Sequence, residues 1–163
     1  MATLQLIPKW FTGYNGGWYG TNKTDWSKHE YCGYNNGVHK TYAVKLTIPK
    51  GYKGTITSIS ASGTKFSKFY STSNTATFDW ALSDALDQNV KNNGYPQGTV
   101  IGKSTVIASG SGANNQEDEH EAQTWNSASA NYSFDTLNAE KDVYFYIYRE
   151  NTSSSAGRRA GFT

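Results

Sequence analysis

Alternation of apolar and polar side chains dominates the middle and the end of this chain. From residue 41 onward, every second side chain is large and apolar, in the order Tyr42, Val44, Leu46 and Ile48. A period of two residues places these side chains on one face of a β-strand and the intervening ones on the other face. The pattern predicts a half-buried strand.

Three further regions have the same strand character. Residues 55–61 predict a strand in which Ile56 and Ile59 differ in parity, so we expect a bulge or a change of face there. Residues 77–82 alternate strictly, and residues 99–109 are strand-like but broken at Gly102. Between them, residues 83–91 could hold at most a helical turn.

The strongest alternation lies near the end of the chain. Val143, Phe145 and Ile147 alternate there with tyrosines. Together these patterns predict a set of inward-pointing core side chains: Tyr42, Val44, Leu46, Phe78, Trp80, Tyr132, Phe134, Phe145 and Ile147.

The tyrosines of this last strand form the first candidate interaction surface. If their neighbours enter the core, Tyr144, Tyr146 and Tyr148 form a ladder on the opposite face, about 7 Å apart. An exposed row of phenol rings is a stacking platform for sugar rings. The alternative is that the ladder is covered by the N-terminal aromatic segment or by another subunit, because monomers rarely expose a large apolar patch.

A second group of candidates lies in aromatic loops. Eight aromatic side chains fall between residues 10 and 34, and the pairs Asn15-Gly16 and Asn36-Gly37 favour tight hairpin turns. Loop aromatics can bind ligands as well as pack. The loop candidates for a ligand or an interface are Trp18, Tyr19, Trp26 and Trp125.

These patterns predict an all-β, antiparallel sandwich or jelly roll. The chain contains seven or eight predicted strands, if the N-terminal segment TLQLIP is counted, and residues typical of turns separate them. We expect one domain over residues 1–163, with an aromatic N-terminal arm at 1–40 and a flexible tail at 151–163.

Part of the chain resembles a known kind of module. The segments ATFDWAL, GTVIG and YSFDTLNAEKDVYFYIYR look like the closing strands of jelly-roll modules found in carbohydrate-binding modules and in bacteriophage tail and capsid-surface proteins. The resemblance covers residues 76–149, and the aromatic N-terminal third departs from it. It implies a fold class and a tendency to bind surfaces or polymers, but no particular binding residue.

Composition agrees with an ordered binding module. Five Trp and twelve Tyr raise the aromatic share to 15%, while the formal charge is only +2. Aromatic rings therefore supply burial that aliphatic residues would supply elsewhere, and a disordered chain is not expected.

Cysteine content and the N-terminal residues suggest a compartment. The single cysteine excludes an intrachain disulfide, and no secretory signal or membrane-spanning apolar run is visible. We expect synthesis in the cytoplasm, without membrane association, followed by incorporation into a virion. The lysines are scattered, so nucleic acid is not an expected partner.

Metal and catalytic signals are weak. His29, Cys32 and His39 supply three potential zinc ligands where structural sites use four, and His29 is predicted on the opposite face from the other two. The acidic run 117–121 could hold calcium but lacks the spacing of a calcium loop. No nucleophile elbow, HExxH pair or phosphate loop occurs, so we expect no cofactor, no metal and no enzymatic activity.

The sequence hypothesis is therefore a non-enzymatic, phage-like virion protein. It would assemble as a homo-oligomer with other subunits of a particle and expose an adhesive aromatic face to host-surface glycans. The alternatives are a soluble carbohydrate-binding module that retains polysaccharide, and a small β-sandwich hydrolase.

Overall fold

The computed structural model describes residues 4–5, 16–20, 32–35, 38–63, 66–70, 74–85, 99–110, 122–148 and 159–162. Within these residues the protein is all-β, with no helix. The strands are β1 (Gly16–Gly20), β2 (Cys32–Asn35), β3 (Val38–Ile48), β4 (Lys53–Ile59), β5 (Phe66–Tyr70), β6 (Thr75–Ser83), β7 (Val100–Ser109), β8 (Ala122–Trp125), β9 (Ala128–Asp135), β10 (Lys141–Tyr148) and β11 (Arg159–Phe162).

The strands form one large and one small antiparallel sheet. The large sheet has the order β5-β11-β2-β3-β10-β6-β7-β8, and β1 pairs with β3 outside this path. The small sheet is the ribbon β4-β9. The predicted all-β antiparallel class is confirmed, although the described residues form eleven strands where seven or eight were expected.

Strand β3 organises the large sheet because it pairs with three others. Lys40 is opposite both Gly20 of β1 and Gly33 of β2, whereas Val44 is opposite Gly16 of β1 and Phe145 of β10. A strand residue has only two edges for pairing. Strands β2 and β10 therefore follow each other along one edge of β3, and β1 occupies the other edge.

Both sheets contribute to one hydrophobic core. Phe78, Trp80, Val143, Phe145 and Ile147 of the large sheet pack with inward side chains of the β4-β9 ribbon. The Trp80 and Phe145 rings lie 5.6 Å apart between centroids. These rings lie in the core that the two sheets share, as the aromatic-rich composition predicts.

The predicted core agrees well with the observed one. Five members are buried: Val44, Phe78, Trp80, Phe145 and Ile147. Leu46, Tyr132 and Phe134 are half-buried and pack against the same cluster. The side chain of Tyr42 lies outside the described residues, although its backbone pairs within β3.

Local irregularities occur near the predicted positions. The register of β4 against β9 shifts between Ile56 and Ser58, which confirms the expected bulge. The β6-β7 register shifts between Leu82 and Ser83, so Ile101 is the extra residue beside Gly102. A Cβ at Gly102 would lie 2.9 Å from Ile59 Cδ1, so glycine lets the ribbon approach the large sheet there.

Three predictions about the ends of the chain need separate comment. Pairing of Asn35 with Val38 gives β2 and β3 the register that a two-residue turn between them predicts. Gly16, expected in a hairpin turn, is instead a strand residue of β1 opposite Val44. Residues 159–162, which lie within the expected flexible tail, form β11; Arg159 and Ala160 pair with both β2 and β5, and the last two residues pair with β5.

Candidate functional site

The predicted tyrosine ladder is mostly interior. Tyr146 has no exposed surface and Tyr148 is 3% exposed, and both belong to a second buried cluster with Ala81. Tyr144 is half-buried against that cluster. The Tyr146 hydroxyl donates a hydrogen bond to the carbonyl of Ala85 at 3.1 Å.

The expectation that the three tyrosines form an open stacking platform is therefore wrong. Tyr146 and Tyr148 are covered, as in the alternative that the sequence left open. On this face Tyr146 and Tyr148 pack with Ala81 of the neighbouring strand β6, and the chain that follows β6 accepts the Tyr146 hydroxyl at Ala85. Burial removes the apolar area of these rings from water, which stabilises the fold more than an exposed row would.

The loop aromatics are only partly described. Trp125 lies in β8, half-buried, with its ring 6.4 Å from that of Phe145 and its indole N–H donating to Gln123 Oε1 at 2.9 Å. Trp125 therefore packs against the edge of the hydrophobic core. Trp18 and Tyr19 lie on β1 opposite Tyr42 and Thr41, and Trp26 lies outside the described residues.

The most exposed aromatic side chain of the described part stands at a junction of two turns. We call the turns at 49–52 and 136–140 the paired-turn tip; they connect β3 to β4 and β9 to β10. Tyr52 is 50% exposed in the first turn and Leu137 is 49% exposed in the second. Exposed apolar side chains on such connections are available for contact with other molecules.

A buried threonine joins the two turns. The backbone N–H of Gly51 donates to the carbonyl of Thr136 at 2.8 Å, and the N–H of Thr136 donates to the carbonyl of Tyr52 at 2.7 Å. The Thr136 hydroxyl accepts from the Tyr52 N–H at 3.1 Å and lies 2.8 Å from the carbonyl oxygen of Pro49, to which it can donate. Gly51 has a φ of 104°, which favours glycine there.

An ion pair and a local hydrogen bond flank the tip. Asp135 accepts the backbone N–H of Leu137 at 3.0 Å and pairs with Lys53 at 3.1 Å. The Leu137 N–H and then Lys53 hold the pKa of the Asp135 carboxyl below its ordinary value. Because the folded-state pKa is lowered, this stabilisation is present at neutral pH and is lost as pH falls through the lowered pKa.

Removing the Thr136 hydroxyl should loosen the tip without emptying space in the core. Thr136→Val keeps the shape but leaves the Tyr52 N–H without its hydroxyl acceptor, so we expect a loss of about 1 to 3 kcal/mol in the free energy of unfolding. Thr136→Ser keeps the hydroxyl and is the matched control. Urea unfolding measures both, and equal stability of the Val variant and the wild type would contradict the junction role.

A second group of polar side chains links strand β9 of the ribbon to the large sheet. The Lys141 ammonium donates to the Tyr132 hydroxyl, which donates to Asp84 Oδ2 at 3.3 Å. The Lys141 nitrogen also lies 4.9 Å from the centre of the Tyr132 ring. These contacts tie the end of β6 to both sheets, and each group satisfies a neighbour within the chain.

The metal candidates of the sequence are not tested by the described side chains. His29 and residues 117–121 lie outside the described residues, as do the side chains of Cys32 and His39. Among the side chains that are described, no group of three potential ligands comes together. In the same part of the chain, no helix is long and apolar enough to cross a bilayer.

Comparison with known proteins gives no relative. No protein-family model matches the chain, and neither a curated protein nor a solved structure is similar to it.

Tyr52 is the residue that the sequence reasoning missed. It lies between Gly51 and Lys53, in the turn that follows the alternating strand at residues 41–48. An aromatic side chain inside a Gly- and Lys-containing turn was the available signal, because such a turn offers the ring no strand face on which to be buried.

Proposed function

We propose that this chain is a non-enzymatic structural and surface-adhesion protein. Several copies would assemble on a larger, phage-like particle and contact glycans through the paired-turn tip. For the fold, we propose the jelly-roll arrangement, in which the β4-β9 ribbon belongs to the second layer over the shared core.

The observation that carries this proposal is the exposed Tyr52 ring on a hydrogen-bonded support. A phenol offers an apolar face to the C–H face of a sugar and a hydroxyl to its rim, at a low cost in side-chain entropy. Backbone bonds between the turns hold the segment that carries the ring. A ring on a fixed support loses little further freedom when it binds.

The surroundings of Tyr52 suit a polar polymer. Lys50 is exposed, and the Lys53 and Asp135 side chains are 67% and 49% exposed. Sugar hydroxyls can accept from the ammonium groups and donate to the carboxylate. The Tyr52 ring thus offers a stacking surface, and the side chains of nearby residues offer hydrogen-bond donors and acceptors.

Replacing Tyr52 tests the adhesive role. Tyr52→Ala should leave the stability within about 0.5 kcal/mol of wild type, because the ring is exposed. It should abolish retardation in affinity electrophoresis through gels containing hydroxyethyl cellulose, xylan or dextran. Tyr52→Trp should keep the retardation. Leu137→Ala is the control for a general change in the tip and should also keep the retardation, because the Tyr52 ring remains.

Two outcomes would overturn the adhesive role: wild-type protein that migrates freely through all three gels, or a Tyr52→Ala variant retarded as strongly as wild type. The second candidate function, a soluble carbohydrate-binding module, rests on the same tyrosine. Light scattering after size-exclusion chromatography separates the two functions, since the assembly protein forms oligomers and the module is a monomer that retains polysaccharide.

A further inference from the structure

Strand β11 occupies an unusual place in the large sheet. It lies between β2 and β5 and pairs with both, through Arg159 opposite Gly33 on one side and Tyr70 on the other. Ala160 is likewise opposite Cys32 and Phe69. A four-residue strand thus joins two strands that do not pair with each other within the described residues.

The strand β5 depends on this insertion. Within the described part of the chain, β5 has no strand partner other than β11. If β11 left its place, β5 would lose its ladder and β2 would present an open edge. Open edges readily accept another strand, because their N–H and C=O groups are unpaired.

The connection to β11 is longer than the fold requires. A path from Tyr148 to Arg159 crosses three strand pairings, β10 to β3, β3 to β2 and β2 to β11, and follows β3 for two residues. The length of this path puts the two residues within roughly 27 Å of each other. The intervening sequence RENTSSSAGR allows eleven Cα–Cα steps, which can reach about 36 Å. A tether with this slack does not confine β11 to its own molecule, because a second copy whose gap between β2 and β5 lies within the same reach can accept the strand.

We propose that β11 is exchanged between copies of this chain, so that residues 159–162 of one molecule insert between β2 and β5 of the next. This inference rests on the proposed assembly and names its partner, a second copy. The exchanged contacts are the same backbone pairs as the internal ones, so the exchange requires no new interface chemistry. Because a copy donates one strand and accepts another, the exchange can link two molecules or a ring.

The single cysteine of the chain makes the exchange measurable. Opposite residues of antiparallel strands have Cα atoms about 4.5 to 5.5 Å apart, within the range of a disulfide. In A160C, the new thiol is opposite Cys32, and an intrachain disulfide should form after refolding at low concentration. Failure to form it would contradict the pairing on which the proposal stands.

The decisive experiment mixes two chains that cannot form this disulfide internally. Wild type provides only Cys32, and C32S/A160C provides only the thiol at position 160. Differently tagged versions are unfolded together, refolded over a range of concentrations and oxidised with copper phenanthroline. Exchange predicts a covalent heterodimer on non-reducing gels, whose yield rises in proportion to concentration in the dilute regime.

A matched pairing measures random collisions. Ser133 is exposed on β9, so wild type mixed with C32S/S133C gives the background of nonspecific cross-links. A heterodimer yield no higher than this background would overturn the exchange. If light scattering then still shows oligomers, assembly stands without exchange, whereas monomers at every concentration would remove the proposed assembly as well.

Discussion

Phe145→Ala should lower the free energy of unfolding by about 3 to 5 kcal/mol, the range for a buried phenylalanine truncated in a core. The side chain is 7% exposed and packs against Trp80 and Trp125, with ring centroids 5.6 and 6.4 Å away. Truncation removes apolar contact from the core cluster that the two sheets share and leaves a cavity beside these two rigid rings. Urea unfolding followed by tryptophan fluorescence measures the loss.

The neighbouring tyrosine provides the internal control for this result. Tyr144 lies on the same strand but on the opposite face, where it is only half-buried. Tyr144→Ala should therefore cost less than Phe145→Ala. A loss below about 1 kcal/mol for Phe145→Ala would place the strand with its other face toward the core.

The period-two pattern predicted the core better than the surface. It assigned Phe78, Trp80, Phe145 and Ile147 correctly, because alternation places every second side chain of a strand on the face that packs into the core. The outward face was harder to assign. Alternation states that Tyr146 and Phe145 point to opposite sides, but it cannot state whether the second side is open or covered.

The pairing partners of β11 could not be predicted from the sequence for a different reason. Insertion of β11 between β2 and β5 depends on contacts between residues more than 80 positions apart. The short strand RAGF has no alternation of its own and follows a Gly- and Ser-containing stretch, so its local signal is that of a tail. Pairing on both edges stabilises it as a strand.

The paired-turn tip illustrates a third case. Turn chemistry at Gly51 could be predicted, whereas the junction through Thr136 could not, because a threonine after a strand has many surface roles. Burial of Thr136 to 0% exposure follows from two turns meeting, and it orders the turn that contains Tyr52. The candidate site thus arises from tertiary packing around one hydroxyl.

Tyr146→Ala should destabilise the protein by about 3 to 5 kcal/mol, which is the second large effect we expect. The ring has no exposed surface, and its hydroxyl donates to the Ala85 carbonyl at the point where the chain leaves β6. Tyr146→Phe keeps the ring and removes only the hydrogen bond, so it should cost about 1 kcal/mol. The difference between the two variants measures the contribution of the ring.

Comparison with Tyr52→Ala separates the two kinds of tyrosine in this chain. Tyr146 is expected to act through stability alone, so glycan retention by Tyr146→Phe should equal that of wild type. Tyr52 is expected to act through binding alone, because the residue is half exposed and outside the core clusters. A Tyr146→Ala variant that unfolds like wild type but no longer binds polysaccharide would reverse this assignment and return the adhesive surface to β10.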